Sequence, residues 1–138
     1  MKKFMLATFL SGLWLNTNEF VRNEILFKEK WIIEFQKLGL IFPSEPLNGL
    51  IWVMWGFVFC GVLTILVKNL SCLKSSVLAW IQGFGLMWIA CVNLGVFPID
   101  LLFVAIPWSF IEVYIAALIS IKILKKNKTV NVAKNLRF

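Results

Sequence analysis

LNGLIWVMWGFVFCGVLTILV, from Leu47 to Val67, carries no charge from end to end. A helix rises about 1.5 Å per residue, so this run covers a hydrocarbon core of roughly 30 Å without presenting an ion to lipid. Pro43-Ser44-Glu45-Pro46 before it reads as a turn, with Pro46 placed to open the helix. Lys68 to Lys74 after it reads as a short basic loop. A second uncharged stretch, Ser75 to Ile99, follows, with Gly95 and Pro98 ending its helix near Val96. Asp100 marks a tight connection. The last apolar run, Leu101 to Ile121, holds one charge, Glu112, and an internal proline, Pro107.

On the N-terminal side, Phe4 to Phe20 follows Lys2 and Lys3 and forms a shorter apolar run with a polar end, Asn16-Thr17-Asn18-Glu19. It has the outline of a secretory signal, but no pair of small residues at alternate positions marks a cleavage site. An uncleaved helix is therefore expected. Val21 to Phe42 mixes charges of both signs with apolar residues, and Trp31, Phe35, Leu38 and Phe42 recur at helical spacing. That pattern predicts an amphipathic helix lying on the membrane surface, with Glu24 and Lys28 as a supporting pair one turn apart.

The expected fold is all-α: a membrane four-helix bundle with an amphipathic surface helix between helices 1 and 2. The helices fall at about 4–20, 47–67, 76–96 and 101–123, the interfacial segment at 21–45 and a basic tail at 124–138. The 138 residues form one transmembrane domain, and the 60% hydrophobic fraction exceeds the roughly 45–50% of ordinary soluble chains. The mean hydropathy of +0.85 agrees. The net charge of +7 does not point to nucleic acid, because most of the excess (Lys122, Lys125, Lys126, Lys128, Lys134, Arg137) follows the last apolar run. Basic residues there hold a helix end at the cytoplasmic side. With Lys2, Lys3 and Lys68–Lys74 on that side too, the protein is expected in a cell membrane, the bacterial inner membrane, multi-pass, with both termini cytoplasmic.

Depth follows from position. Glu112 falls near the bilayer midplane, with Ser109 and Trp108 one turn outward. Asn16 and Glu19 fall roughly 6 and 10 Å outward of the middle of the first helix. Asn93 lies in the outer half of the third. Polar side chains thus gather in the outer half, and stripes of small residues (Thr8, Gly12 and Asn16; Gly49, Gly56, Cys60 and Thr64; Ala79, Gly83 and Ala90; Ala105, Ser109, Ala116 and Ser120) mark the faces where helices approach. Glu112 is expected to point into the bundle. A carboxylate at that depth costs about 2.5–3.5 kcal/mol on insertion scales. It is expected to be neutral unless water or a cation reaches it, since no Lys or Arg is expected at its depth. Glu112, Asn93, Asn16, Glu19, Ser109 and Trp108 are the candidate ligand- or ion-binding residues. The competing reading makes Glu112 a structural hydrogen-bond donor that locks the bundle.

The segments Leu38-Gly39, Pro43, Pro46-Leu47, Asn93-Leu94-Gly95, Pro98, Trp108, Ile111-Glu112 and Ala116-Ala117 resemble a group of small bacterial four-helix integral membrane proteins. The resemblance spans most of the chain except the basic tail. It implies that Asn93 and Glu112 belong to a shared pattern and implies no activity, since the function of that group is unknown. Small multidrug transporters differ in carrying their membrane glutamate in the first helix. Membrane thiol oxidoreductases need a C-x-x-C that Cys60, Cys72 and Cys91 do not form. Without histidine or a metal-ligand cluster, an enzyme is the least expected class, and no cofactor is expected. The expected role is a small channel, carrier or ligand-binding protein with an outward-opening polar cavity ending at Glu112. The alternative is a structural or regulatory subunit docking another membrane protein through small-residue faces. The expected partners are the lipid bilayer, a small molecule or ion, and a second copy or another membrane protein; nucleic acid is not among them.

Overall fold

Uninterrupted apolar composition makes this chain almost wholly helical. The computed structural model describes residues 1–125, and among these no strand occurs; from residue 126 on, the expected basic tail lies outside the described residues. The order is α1 (Lys2–Phe20), a π-helical segment (Val21–Leu26), α2 (Lys28–Lys37), α3 (Pro46–Asn69), α4 (Cys72–Trp80), a second π-helical segment (Ile81–Gly85), α5 (Leu86–Asn93), a 3-10 turn (Ile99–Leu101) and α6 (Leu102–Lys125). Pro46 opens α3 as its fixed φ favours. The Ser71 side chain accepts from the Lys74 backbone N–H and caps α4. Gly95, at φ +70°, follows the end of α5 in the left-handed conformation that glycine adopts without steric cost.

Three helices are long and apolar enough to cross a membrane: Pro46–Asn69, Cys72–Asn93 and Ile99–Lys125. Their outer faces require lipid, since Phe103 is 86% exposed, Ile89 68% and Leu50 64%. The chain is thus an all-helical, multi-pass membrane protein. α1 is not among the three, because its last turns are polar. It nonetheless packs lengthwise against α3 and α6, while α6 also packs against α3 and α4. Its polar side chains bond to their own helix: Ser11, Asn16, Thr17 and Asn18 donate to the carbonyls of Ala7, Gly12, Leu13 and Trp14 at 2.7–2.9 Å. Such back-bonding leaves few donors unsatisfied in an apolar setting.

Several boundaries differ from the sequence reading. The third helix starts at Cys72 rather than 76 and ends at Asn93 rather than 96, so Leu70 and Ser71 alone separate it from α3. The expected surface helix over 21–45 is divided. Val21–Leu26 continues α1, and only Lys28–Lys37 forms a separate helix. Leu38 is exposed beyond its end. The Glu24–Lys28 pair is present at 2.8 Å. The division has a physical cause: Arg22 is buried, which draws its turn into the protein and away from the surface.

The core is small residues below and aromatic rings above. Ala7, Cys60, Leu63, Ala116 and Ala117 are buried along the middle and lower contacts. The Thr64 and Ser120 hydroxyls bond at 3.1 Å between α3 and α6. Toward the Asp100 end, Trp55, Phe59, Phe84, Trp88 and Phe97 pack ring on ring at centroid distances of 5.4–6.2 Å, Trp55 and Phe59 stacked and the other pairs edge to face or tilted. Gly56 lets Asn16 lie against α3, where its amide also donates to the Val53 carbonyl at 3.3 Å.

Candidate functional site

Helix side chains lean toward the helix N-terminus. α1 and α6 run antiparallel, so Arg22 leans down from the outer end while Glu112 leans up toward it. Trp14 Nε1 donates to the Glu112 backbone carbonyl at 3.1 Å, which registers α1 on α6. Arg22 stands two turns further out, about 12 Å along the axis, a gap that one arginine and one glutamate side chain can span. Its Nη1 lies 3.6 Å from Glu112 Oε2, and the two side chains are 5% and 1% exposed. The expectation that no basic residue reaches Glu112 is therefore corrected.

The π-helical segment arranges the rest. The Phe27 N–H bonds back five residues to the Arg22 carbonyl at 3.0 Å, the spacing of a widened turn. Glu19, Arg22 and Asn23 share its inner face. Arg22 Nη2 pairs with Glu19 Oε1, and Asn23 Nδ2 donates to Glu19 Oε2 at 2.9 Å. The guanidinium carbon sits 5.7 Å from the centre of the Phe84 ring, within cation–π range. Phe84 belongs to the second π-helical segment. The two widened turns thus meet through one cation and one ring.

The cluster is unbalanced in charge and in hydrogen bonds. Two carboxylates face one guanidinium, leaving one negative charge uncovered when both are ionised. Glu112 Oε1 and Oε2 and Arg22 Nη1 are buried without a hydrogen-bond partner among the described residues. Buried polar atoms in that state are rare and costly. Beside Arg22 a cavity of about 20 Å³ is lined by Asn23, Trp31, Trp88, Phe97 and Ala105. That is room for one water-sized occupant.

Glu19, Arg22 and Glu112 are brought together; the other candidates are not all with them. Ser109 is buried one turn from Glu112, but its hydroxyl accepts from Trp80 Nε1 at 2.9 Å and donates to the Ala105 carbonyl at 2.6 Å. Asn16 is spent on α1 and α3. Asn93 is exposed at the end of α5, because Glu112 leans toward α1 rather than α5. Trp108 is half-buried and lines a groove of about 400 Å³ together with Trp14, Asn18, Pro107, Ile111 and Glu112 itself. The Trp31 ring meets Phe97 edge-on at 5.2 Å, and the two rings cap the small cavity beside Arg22.

Arg22 and Phe84 were not expected at the site. Arg22 had a legible signal. A span needs about 20 residues, and twenty counted from Phe4 reach Asn23, not Phe20. The Glu19-x-x-Arg22 spacing also puts opposite charges on one face. Phe84 carries no such mark in a run of apolar residues. No family model matches the chain, and neither a curated protein nor a solved structure is similar to it.

Proposed function

We propose that the chain is a four-helix membrane protein in which α1 and its π-helical extension form the fourth span. We further propose that the Glu19–Arg22–Glu112 cluster binds a proton or a small cation. The protein is then a small cation-responsive carrier or ligand-binding protein of the cell membrane. The observation that carries this reading is a buried cluster of two carboxyl groups and one guanidinium in which both Glu112 oxygens lack a hydrogen-bond partner among the described residues. A site that lacks one positive charge in a low dielectric attracts one strongly. The water-sized cavity and the aromatic cap favour a closed binding site over an open channel. Much of the small-residue faces is filled by the chain's own helices, since Cys60, Ala79, Ser109 and Ala116 are buried, although Gly49 and Ala90 are exposed. That weighs against the docking-subunit alternative.

The test compares the full chain with Glu112→Gln in lipid nanodiscs, following thermal stability across pH and with added sodium, potassium or guanidinium. The native chain is expected to shift its melting temperature with proton or cation concentration, and the variant to fold with that response flattened. A native chain insensitive to all of them, or a variant that keeps the full response, overturns the site.

A further inference from the structure

α2 is tethered loosely at both ends. A single residue, Phe27, at φ −122° and ψ 12°, separates it from the π-helical end of α1. On its other side the chain from residue 40 to 45 is not helical and follows Gly39, which sits at φ +70°. No residue of α2 is fully buried. Its hold on the rest of the protein lies in its first turn. Lys30 pairs with Asp100 at the connection before α6, the two side chains being 45% and 62% exposed. Trp31 lays its ring against Phe97 and donates from Nε1 to Asn23 Oδ1 at 3.2 Å.

These contacts lie at the small cavity beside Arg22. Trp31, Phe97 and Asn23 wall the small cavity whose floor includes Arg22. Asn23 joins cover to cluster, because its amide donates to Glu19 while its carbonyl oxygen accepts from Trp31. An exposed ion pair holds weakly. A helix without fully buried residues also belongs to the least stable part of a fold, where opening motions occur. The residues beneath it are held far more firmly.

We infer that α2 is a lid over the aqueous entrance to the Glu19–Arg22–Glu112 cluster. It turns about Phe27 and the segment after Gly39, and Lys30–Asp100 and Trp31 latch it. Asn23 couples it to the site: a proton or cation that draws Glu19 away from Asn23 frees the partner that holds Trp31. The inference rests on the proposed binding role of the cluster, and the experiment below separates the two.

Ala105→Cys places a thiol in the wall of the cavity, in a full chain carrying Cys72→Ala and Cys91→Ala; Cys60 stays, being buried. A charged, water-soluble thiosulfonate is added to the protein in nanodiscs and the labelling rate measured. With the latch removed by Lys30→Ala and Trp31→Phe, which loses the bond to Asn23 but keeps a ring in the cavity wall, labelling is expected to run at least about tenfold faster, as a loss of roughly 1.4 kcal/mol from the closed state requires. Helix content and melting temperature confirm that each variant folds. A rate unchanged within about twofold, or a latched chain that labels as fast as a Lys37→Cys reference, overturns the lid. The pH and cation response is read in the same variants. A Glu112-dependent response without faster labelling sinks the lid and keeps the site. Faster labelling with no such response keeps the lid and sinks the ligand.

Discussion

Arg22 is surrounded by groups that make sense only while it is there. It sits between Glu19 and Glu112, over the face of Phe84, with a 5% exposed side chain. Removing one partner of a buried pair leaves the other charge uncompensated, at a cost of about 3–5 kcal/mol, whereas replacing both by apolar residues is often neutral. Arg22→Met is therefore expected to lower stability by about that amount, and Arg22→Met with Glu112→Met to recover most of it. Unfolding in mixed detergent measures both. A double variant no more stable than Arg22→Met would mean that Arg22 acts through packing on Phe84 and not through charge. Arg22→Lys is not conservative, since a lysine offers no planar fork to hold two carboxylates at once.

At the scale of the element, helix contact rather than composition decides what each position tolerates. An added Cβ at Gly56 would run into the Asn16 side chain, while one at Gly49, a few residues earlier in the same helix, meets nothing within 4 Å. Overpacking a close contact costs typically about 1–3 kcal/mol. Gly56→Val is expected to destabilise by that much and to part α1 from α3, whereas Gly49→Ala is expected to be neutral or to stabilise by up to about 1 kcal/mol. Equal melting temperatures for the two variants would contradict the packing of α1 on α3. The same contrast explains what could be read from the sequence. Leu47–Val67 was legible because a run with no charge has few fates, and the burial of Glu112 followed from the small-residue face it shares on its helix. The pairing of Glu112 was only half legible: span length and the Glu19–Arg22 spacing draw Arg22 into the first helix, but nothing in the sequence says which helix its side chain meets. Asn93 lies apart from Glu112 for a related reason. Depth along a helix can be counted, but the face it turns to a neighbour depends on which neighbour that is, and α6 gives its Glu112 face to α1.

At the scale of the whole molecule, the open question is the number of crossings, and the charges supply the argument. Three helices qualify on length and apolarity. With three crossings, Lys2 and Lys3 would lie across the membrane from Lys122 and Lys125. α1 does not fit that arrangement. Lys68, at the end of α3, rests its ammonium 5.4 Å from the centre of the Phe4 ring, so the start of α1 stands beside the end of α3. At its other end, Arg22 meets the upper half of α6. On the proposed four-span reading, α1 shares the hydrocarbon slab of the helices it runs beside. It then places Lys2, Lys3, Lys68, Lys74, Lys122 and Lys125 on one side, the pattern that basic residues follow at the cytoplasmic face. Cysteines placed at Lys2 and Lys125 are thus both expected to be shielded from an impermeant maleimide added to intact cells, and one at Lys37 to be labelled. Labelling at Lys2 with protection at Lys125 would mean three crossings. That result would lay α1 outside the slab, return the Glu19–Arg22–Glu112 cluster to water, and remove the low dielectric on which its affinity for a cation depends.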